Sequence, residues 1–328
     1  MSLGLPFVDA ELESRVRCRL VEVESSLAAA VASDFDFVHE AARHLLAAGG
    51  KRFRPLLVVL ASEFGDARAP EIVPSALVVE LTHLATLYHD DVMDVADLRR
   101  GAQSANARWT NSIAILTGDY LFARASDIVS DLGAEAVRIQ ARTFSRLVQG
   151  QIRETVGPRG DEDPLAHYLS VVADKTGSLI ATSARFGART AGASADVEQT
   201  LTDYGEIIGT AFQLSDDIID VVSDTTESGK TPGTDLREGV PTLPSLMALT
   251  STPDVDPRLL ELLSSPIEGD ADLAEALGLL RTSPAMALAR DQVRRRADAA
   301  RELLQTLPDI PARTALVALC DLVTTRTS

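Results

Sequence analysis

Apolar residues recur at three- and four-residue spacing over long stretches from about residue 9 onward, and this period limits the fold more than any other feature. An α-helix turns once in 3.6 residues, so the spacing gathers apolar side chains on one face. A strand would need strict alternation, and no convincing run of it occurs in the sequence. The period therefore predicts an all-α protein.

Five long segments are rich in small and branched apolar residues and carry few charges. They cover roughly 70–98, 105–132, 134–155, 165–190 and 196–226. Helices of this kind must be buried on more than one side. Shorter helices are predicted at roughly 257–264, 271–281, 284–306 and 312–326. No long linker and no fixed repeat divides the chain, so we predict a single domain over residues 1–328.

Proline and glycine mark the expected ends of these helices. Starts are predicted at Pro55, Pro164, Pro244 and Pro257, because proline suits the first helical turn. Stops are predicted at Gly101, Gly150, Gly157 and Gly229.

The balance of charges argues against a polyanionic partner. The chain has 48 acidic and 31 basic residues, a formal net charge of −17, so nucleic acid would be repelled on average. Its two cysteines, Cys18 and Cys320, lack the spacing of a zinc site or a disulfide framework. Charged residues stand near the N-terminus where a signal peptide needs an apolar core, and no apolar run is long enough for a membrane span. We therefore expect a cytoplasmic protein without a transmembrane segment.

Two acidic clusters of identical spacing lie in otherwise apolar helical segments. The first is Asp90, Asp91 and Asp94, and the second is Asp216, Asp217 and Asp220. In each cluster the first and last carboxylates share one helix face. Aspartate is a poor helix former and is rarely buried unpaired, so the clusters call for a cation such as Mg²⁺.

The alternative is that each cluster is an exposed acidic turn in an already acidic protein. For one cluster the two interpretations are balanced, but two clusters with the same spacing in apolar settings favour metal binding. The pattern then predicts two carboxylate sets that face each other across a cavity and hold a diphosphate through bridging metals.

Basic residues stand beside glycine or hydroxyl residues at places where a diphosphate would need them. Gly49-Gly50-Lys51-Arg52-Phe53-Arg54 is a glycine turn followed by a compact positive cluster, and Arg99-Arg100 follows the first acidic cluster. Lys175-Thr176 interrupts a long apolar segment, and Lys230 opens a polar loop. The plainer interpretations are a helix cap for the arginine pair and a surface position for Lys175.

Lysine itself is rare in this chain, and its rarity favours a functional role for the lysines over a surface position. Only Lys51, Lys175 and Lys230 are lysines among the 31 basic residues, and the other 28 are arginines. Three retained lysines suggest sites that require a compact ammonium group. His83 lies two turns before Asp90 on roughly the same face, so it either enters the predicted cavity or is a core histidine.

These residues resemble the trans-isoprenyl diphosphate synthases, also called polyprenyl synthetases, over nearly the whole chain. The resemblance rests on five ordered motifs: Gly-Gly-Lys51-Arg-Phe-Arg54-Pro, Asp90-Asp91-Val-Met-Asp94 with Arg99-Arg100-Gly, Lys175-Thr176-Gly, Phe212-Gln213-Leu-Ser-Asp216-Asp217-Ile-Ile-Asp220, and Gly229-Lys230 with Asp235-Leu-Arg-Glu-Gly. It implies a helical barrel around a deep cavity and a homodimer.

The resemblance also implies a role for each motif residue. Asp90, Asp94 and Asp216 would bind Mg²⁺, three ions in the presence of substrate, with Asp91, Asp217 and Asp220 in support. The allylic diphosphate would be held by Arg99, Lys175, Thr176, Gln213 and Lys230. The isopentenyl diphosphate would be held by Gly50, Lys51, Arg54, His83 and Arg100. The residues expected to take part in catalysis are Asp90, Asp94, Lys175, Asp216 and Lys230.

The implied reaction joins isopentenyl diphosphate to an allylic diphosphate such as farnesyl or geranylgeranyl diphosphate. In the family, residues four and five positions before the first aspartate wall the product tunnel. Here they are the small Thr86 and Ala85, so the tunnel would continue toward Leu81 and Thr82. Phe122, Ala123 or Ala125 on the next helix is the candidate floor residue. We therefore expect a long-chain all-trans polyprenyl diphosphate, released with transient membrane contact, rather than a geranylgeranyl or geranylfarnesyl product.

One departure from the family pattern and two rival functions remain. Many relatives carry a lysine where this chain has Val240-Pro241, so one diphosphate contact is missing or replaced. A terpene cyclase on the same fold would have no use for Lys51, Arg54 and Arg100. A regulatory subunit of a heteromeric synthase would usually lack the aspartate motifs.

Overall fold

The computed structural model describes residues 9–223, 232–251 and 255–327, and within these ranges the chain is helical almost throughout. The predicted all-α class is confirmed. The described strands are two short ones, β1 (Leu98–Arg99) and β2 (Ala102–Gln103), which pair antiparallel. No described helix is both long and apolar enough to cross a membrane.

The helices follow one another along the chain with short connections. The first ten are α1 (Ala10–Ala30), α2 (Asp36–Ala47), α3 (Phe53–Ser62), α4 (Ile72–Met93), α5 (Ala105–Arg108), α6 (Asn111–Asp131), α7 (Ala134–Val156), α8 (Pro164–Val172), α9 (Ser178–Thr190) and α10 (Ala195–Val222). A π-helical turn, Ala173–Gly177, lies between α8 and α9. The later helices are α11 (Thr234–Glu238), α12 (Leu243–Thr250), α13 (Pro257–Leu262), α14 (Asp270–Thr282), α15 (Pro284–Leu304) and α16 (Pro311–Thr325).

The chain divides into two compact units, each built from separate stretches of sequence. The first unit comprises Met1–Ser145, Leu179–Gly205 and Thr306–Leu316, and the second comprises Arg146–Ser178, Glu206–Gln305 and Val317–Ser328. The single domain, the barrel and the deep cavity therefore stay predictions.

Helix α4 is the central element of the first unit. It packs against α1, α3 and α6, and it is buried along most of its length because its apolar residues surround the helix. Tyr88, fully buried, donates a hydrogen bond of 2.5 Å to Ala41 O and accepts one of 3.2 Å from Leu45 N. Burial raises the pKa of the Tyr88 phenol to about 12, so it stays protonated and links α4 to α2.

In the second unit, α12 packs against α8 and α15. Thr242, which precedes α12, donates its backbone N–H to Ser245 Oγ at 3.0 Å and so satisfies one group at the start of the helix. Arg281 of α14 donates to Val221 O at 2.7 Å, which satisfies a carbonyl at the end of α10. These bonds secure the ends of the helices that carry or support the second acidic cluster.

Several predicted boundaries are confirmed and several are wrong. Helices begin at Pro164 and Pro257, and α7 ends just before Gly157, whose φ is +73°. Gly150 lies inside α7 rather than at its end, because a neighbouring segment packs against its missing side chain. Gly101 lies in the turn between the two strands, so Arg99-Arg100 is not a helix cap. Gly229 lies outside the described residues.

Candidate functional site

A buried ion pair fixes the start of α3 in the first unit. Arg52 has a left-handed backbone, with φ +49°, and its side chain is 2% exposed. It donates to Glu24 at 2.8 and 2.9 Å and to Glu80 at 3.0 Å. The two glutamates neutralise this guanidinium, so the glycine turn before α3 is held by a satisfied buried charge. Sequence reasoning missed both glutamates, because their positions show no local motif.

Arg54 and Arg100, by contrast, have no carboxylate partner at hydrogen-bond distance in the described ranges. Arg100 donates to Gly49 O and, at 3.3 Å, to Leu45 O, both carbonyl oxygens. The Nε of Arg54 is buried and has no hydrogen-bond partner among the described residues. The pKa of Arg54 is lowered to about 10, chiefly by burial and also by the charge of Arg100, and the charge of Glu80 offsets only part of this effect. The pair therefore forms a desolvated positive cluster suited to an anion.

His83 of α4 lies among these arginines and is half-buried. Its pKa is well below the usual value, chiefly because of burial and then because of the charges of Arg54 and Arg100. The imidazole is therefore neutral at pH 7. Its entry into a cavity stays a prediction.

The first acidic cluster lies at the C-terminal end of α4. Asp90 and Asp91 fall in its last turn, and Asp94 is the residue that follows the helix. The negative end of the helix dipole disfavours carboxylates at this place. Three acids in one turn there are consistent with a bound cation, since nothing in helix formation favours them.

Asp91 is fully buried and pairs with Arg99 of β1. Its Oδ1 accepts from Arg99 Nε at 2.6 Å, whereas its Oδ2 is buried with no hydrogen-bond partner in the described part of the chain. Burial raises the pKa of Asp91, and the charge of Arg99 partly offsets that effect. In this arrangement Arg99 supports the first acidic cluster.

The second acidic cluster lies inside α10, in the second unit, and its middle aspartate is bonded to the protein. Asp217 accepts hydrogen bonds from Tyr168 Oη, from Gln213 Nε2 at 3.1 Å and from Leu243 N at 3.4 Å. Burial nevertheless raises the pKa of Asp217 to about 6. Burial and the carboxylate of Asp217 also hold the pKa of Tyr168 well above 10. Tyr168 was not found from the sequence, because it lies 49 positions away from its partner.

Asp216 has a different partner from the C-terminal part of the chain. Arg326 Nη2 donates to Asp216 Oδ1 at 2.5 Å, and the guanidinium lies 4.8 Å from the centre of the Phe212 ring. The two ion-pair residues are 110 positions apart in the sequence. No local pattern could have predicted this contact.

The π-helical turn carries two of the predicted diphosphate ligands. Thr176 donates to Gln213 Oε1 at 3.3 Å, so Thr176, Gln213 and Asp217 form one hydrogen-bonded chain. Lys175 Nζ donates to Glu154 of α7 at 2.5 Å. Single π-turns inside helical segments are frequent at functional sites.

The predicted site residues divide between the two units. The isopentenyl set, Gly50, Lys51, Arg54, His83 and Arg100, lies in the first unit, as do Asp90, Asp91, Asp94 and Arg99. The second unit contains Lys175, Thr176, Gln213, Asp216, Asp217 and Asp220. Lys230 lies outside the described residues. That the two acidic clusters face each other stays a prediction, as do the individual roles.

The predicted tunnel residues all lie in the first unit. Ala85 is 1% exposed and Thr86 is 9% exposed, and Leu81 and Thr82 are also buried. Phe122 stacks on Phe144 with 4.0 Å between ring centres, a partner that the sequence did not suggest.

The acidic side chains fit a hard cation by their chemistry. Within residues 9–223, 232–251 and 255–327, no three side chains of His, Cys, Asp or Glu converge as a ready metal cage. Mg²⁺ does not require such a cage, because it commonly keeps water and phosphate oxygens beside one or two carboxylates. The buried Oδ2 of Asp91, which lacks a hydrogen-bond partner among the described residues, is a further negative group that a cation would stabilise.

Comparison with known proteins gives consistent matches over most of the chain. A family model described as polyprenyl synthetase matches residues 36–280. Nonaprenyl diphosphate synthase of Mycobacterium tuberculosis is 48% identical over 324 residues, covering 98% of this chain and 97% of that protein. Octaprenyl diphosphate synthase of Escherichia coli is 32% identical, covering 90% and 91%.

A solved structure matches as well. Geranylgeranyl pyrophosphate synthase from Corynebacterium glutamicum, complexed with calcium and isoprenyl diphosphate, has a TM-score of 0.87 and 46% sequence identity. The match covers 98% of this chain and 99% of that one.

Proposed function

The chain belongs to the polyprenyl synthetase family, and from that premise we propose that it condenses isopentenyl diphosphate with an allylic diphosphate to make a long-chain all-trans polyprenyl diphosphate. The observation that carries the proposal is the desolvated cluster of Arg54, Arg100 and neutral His83 beside an acidic cluster at a helix end. A metal-bound diphosphate and a free diphosphate are the two ligands that such neighbouring groups would accept.

Isopentenyl diphosphate is the proposed ligand of the basic cluster. Arg54 and Arg100 have partly buried guanidinium groups without a hydrogen-bonded carboxylate partner in the described structure, so a diphosphate would restore charge balance there. Lys51 and the backbone at Gly50 would complete the site. His83, neutral at pH 7, would contribute one hydrogen bond without adding charge.

The acidic clusters are the proposed ligands of a divalent cation, Mg²⁺ by the chemistry of the donors. Asp90, Asp94 and Asp216 would hold the ions, with three ions expected in the substrate complex, and Asp91, Asp217 and Asp220 would support them. Bound Mg²⁺ would neutralise the negative charge of the departing diphosphate. One matched relative was solved with calcium, which supports a site for divalent ions.

The remaining residues would orient the allylic diphosphate so that its carbon–oxygen bond breaks. Lys175, Thr176, Gln213 and Arg99 would bind its oxygens, and Lys230 would join them. The isopentenyl double bond would attack the allylic cation, and a proton would then pass to the released diphosphate. To contact substrate, Lys175 would exchange Glu154 for a phosphate oxygen.

A long-chain product is favoured by the small residues at the proposed tunnel wall. Ala85 and Thr86 offer no bulky stop, and the matched relatives include nonaprenyl and octaprenyl synthases. The second candidate is a geranylgeranyl diphosphate synthase, which the 46% identity to the Corynebacterium glutamicum structure favours. A cyclase would have no use for the basic cluster, and a regulatory subunit would not need both aspartate motifs.

The proposal extends to the setting in which the enzyme works. We place it in the cytoplasm as a homodimer, with brief membrane contact when a long apolar product leaves. No nucleic acid is expected to bind, because the net charge is −17.

The decisive experiment is incubation with farnesyl diphosphate, labelled isopentenyl diphosphate and Mg²⁺, followed by sizing of the dephosphorylated product. We expect a ladder that ends beyond geranylgeranyl. Absence of any elongation would overturn the synthase proposal, and a product that stops at geranylgeranyl would select the second candidate. Sedimentation of the purified protein would test the dimer.

A further inference from the structure

The π-helical turn Ala173–Gly177 is fastened to its neighbours by one arginine of α7. Arg146 Nε donates to Asp174 Oδ1, within the turn, at 2.9 Å. The other nitrogens of Arg146 donate to the two oxygens of Glu206, on α10, at 2.5 and 3.1 Å. One guanidinium therefore joins three helical segments of the second unit.

The partners of Arg146 make the bridge rigid. The guanidinium of Arg146 binds the Glu206 carboxylate through two hydrogen bonds. In this bidentate geometry, both the hydrogen bonds and the charge attraction favour a single orientation. The hydrogen bond to Glu206 raises the pKa of Arg146, so the bridge stays charged over the whole working range of pH. Arg153 makes a weaker, single contact with Asp174 at 3.2 Å.

Two glycines allow the turn to lie close to the same two helices. A Cβ on Gly150 of α7 would come within 2.7 Å of the backbone nitrogen of Lys175. A Cβ on Gly177 would come within 3.2 Å of Thr210 Oγ1 on α10. The turn is thus packed against the helix backbones at both sides, at the residues next to Lys175 and Thr176.

We propose that Arg146 is a positioning residue that fixes the π-turn and thereby sets where Lys175 and Thr176 present their donors. A π-turn is an irregular, rarely populated helical form, so its geometry needs support from neighbouring groups. Arg146 supplies that support through Asp174, whereas Gln213 supports the turn separately by its 3.3 Å bond with Thr176. The functional consequence rests on the proposed function, in which Lys175 and Thr176 bind the allylic diphosphate.

Hydrogen–deuterium exchange of the full-length protein without substrate tests the structural part. Arg146→Gln is expected to accelerate exchange of the amides at residues 173–178 by roughly tenfold, as loss of a charge-assisted bridge implies. Arg142→Gln, an exposed arginine one turn earlier on α7, is the matched control and should leave exchange unchanged. Equal exchange in wild type and Arg146→Gln would overturn the proposal.

Steady-state kinetics tests the consequence for substrate. Arg146→Gln should raise the KM for the allylic diphosphate by roughly tenfold and leave the KM for isopentenyl diphosphate unchanged. Arg146→Lys keeps the positive charge but not the two parallel hydrogen bonds to Glu206. It should therefore raise the KM for the allylic diphosphate less than Arg146→Gln does. Equal increases in both KM values would indicate general disorder and overturn the assignment.

A second variant perturbs the π-helical turn and leaves Arg146 unchanged. Gly150→Ala inserts a methyl group against Lys175 N and should raise the same KM, whereas Gly278→Ala, in a helix with open space around it, should not. If Gly150→Ala behaves like Gly278→Ala, the proposed support of the turn is wrong. If the wild-type protein transfers no prenyl group, the proposed function fails, and the exchange data alone still decide the role of Arg146.

Discussion

The two acidic clusters have the same spacing, yet their surroundings differ. The first ends α4, where Asp94 is exposed and the nearby Arg54 and Arg100 lack a hydrogen-bonded carboxylate partner in the described residues. In the second, Asp216 pairs with Arg326, and Asp217 is bonded to Tyr168 and Gln213. At Arg54 and Arg100 of the first unit, a ligand would supply missing charge, whereas at Asp216 and Lys175 of the second unit it would replace an existing partner.

The largest expected effect on the reaction is at the first acidic cluster. Asp90→Asn should reduce kcat about a thousandfold, or ~4 kcal/mol of barrier, because the proposed cation would lose one of its main carboxylate ligands. Product formation from labelled isopentenyl diphosphate measures it. Asp97→Asn, an exposed acid nearby, is the control. Activity within tenfold of wild type would remove Asp90 from the metal site.

Arg52 and Arg54 are close in sequence, but we expect Arg52 to stabilise the fold and Arg54 to bind substrate. Arg54→Met should raise the KM for isopentenyl diphosphate about a hundredfold, ~3 kcal/mol, with little loss of stability, since no carboxylate is left unpaired. Arg52→Met should lower the free energy of unfolding by about 3–5 kcal/mol, because Glu24 and Glu80 would lose their shared partner. Urea unfolding and steady-state kinetics measure both. A large loss of stability in Arg54→Met with an unchanged KM for isopentenyl diphosphate would contradict the assignment of Arg54 to binding.

A smaller effect is expected where a ligand replaces an existing partner. Arg326→Ala should lower the Mg²⁺ concentration for half-maximal activity by about threefold, because a competing cation leaves Asp216. A Mg²⁺ titration measures the shift, and Arg294→Ala, exposed on α15, serves as control. A higher Mg²⁺ requirement would instead mean that Arg326 assists binding.

A gradual effect is expected on the pH dependence of stability. The pKa of His83 is lower in the folded protein than in the unfolded chain, so the unfolded state takes up more protons as pH falls below about 6.5. Stability should therefore decrease between pH 6.5 and 5, with a slope from this group of at most about 1.4 kcal/mol per pH unit. His83→Gln should remove that part of the slope. Identical pH slopes of the unfolding free energy in wild type and His83→Gln would show that burial and the arginine charges do not lower the pKa of His83.

Much of the local structure followed from the sequence, because local signals decide it. The helices predicted at 134–155 and 284–306 are observed at Ala134–Val156 and Pro284–Leu304. Gly150 was misjudged as a helix end for an equally physical reason. Gly150 allows the π-helical turn to pack closely against α7, and the residues around Gly150 in sequence do not indicate that contact.

The candidate site was predictable where its residues form compact motifs. The acidic clusters and the basic turn around Lys51 are contiguous, so their chemistry follows from neighbouring residues alone. Glu80, Tyr168 and Arg326 were missed because each meets its partner from a distant part of the chain. The rarity of lysine indicated that Lys51 and Lys175 are candidate site residues. It could not predict their contacts, such as the hydrogen bond of Lys175 to Glu154.

The sequence by itself determined the helical class, the two aspartate clusters and the family resemblance, since periodicity and motif spacing are local properties. Tertiary structure decided which charges are already satisfied. Arg52 and Arg54 are two positions apart and look alike in sequence, yet one is paired with two glutamates and the other has a buried nitrogen without a hydrogen-bond partner in the described residues. That difference depends on burial and on the arrival of distant carboxylates, which only the folded chain brings about.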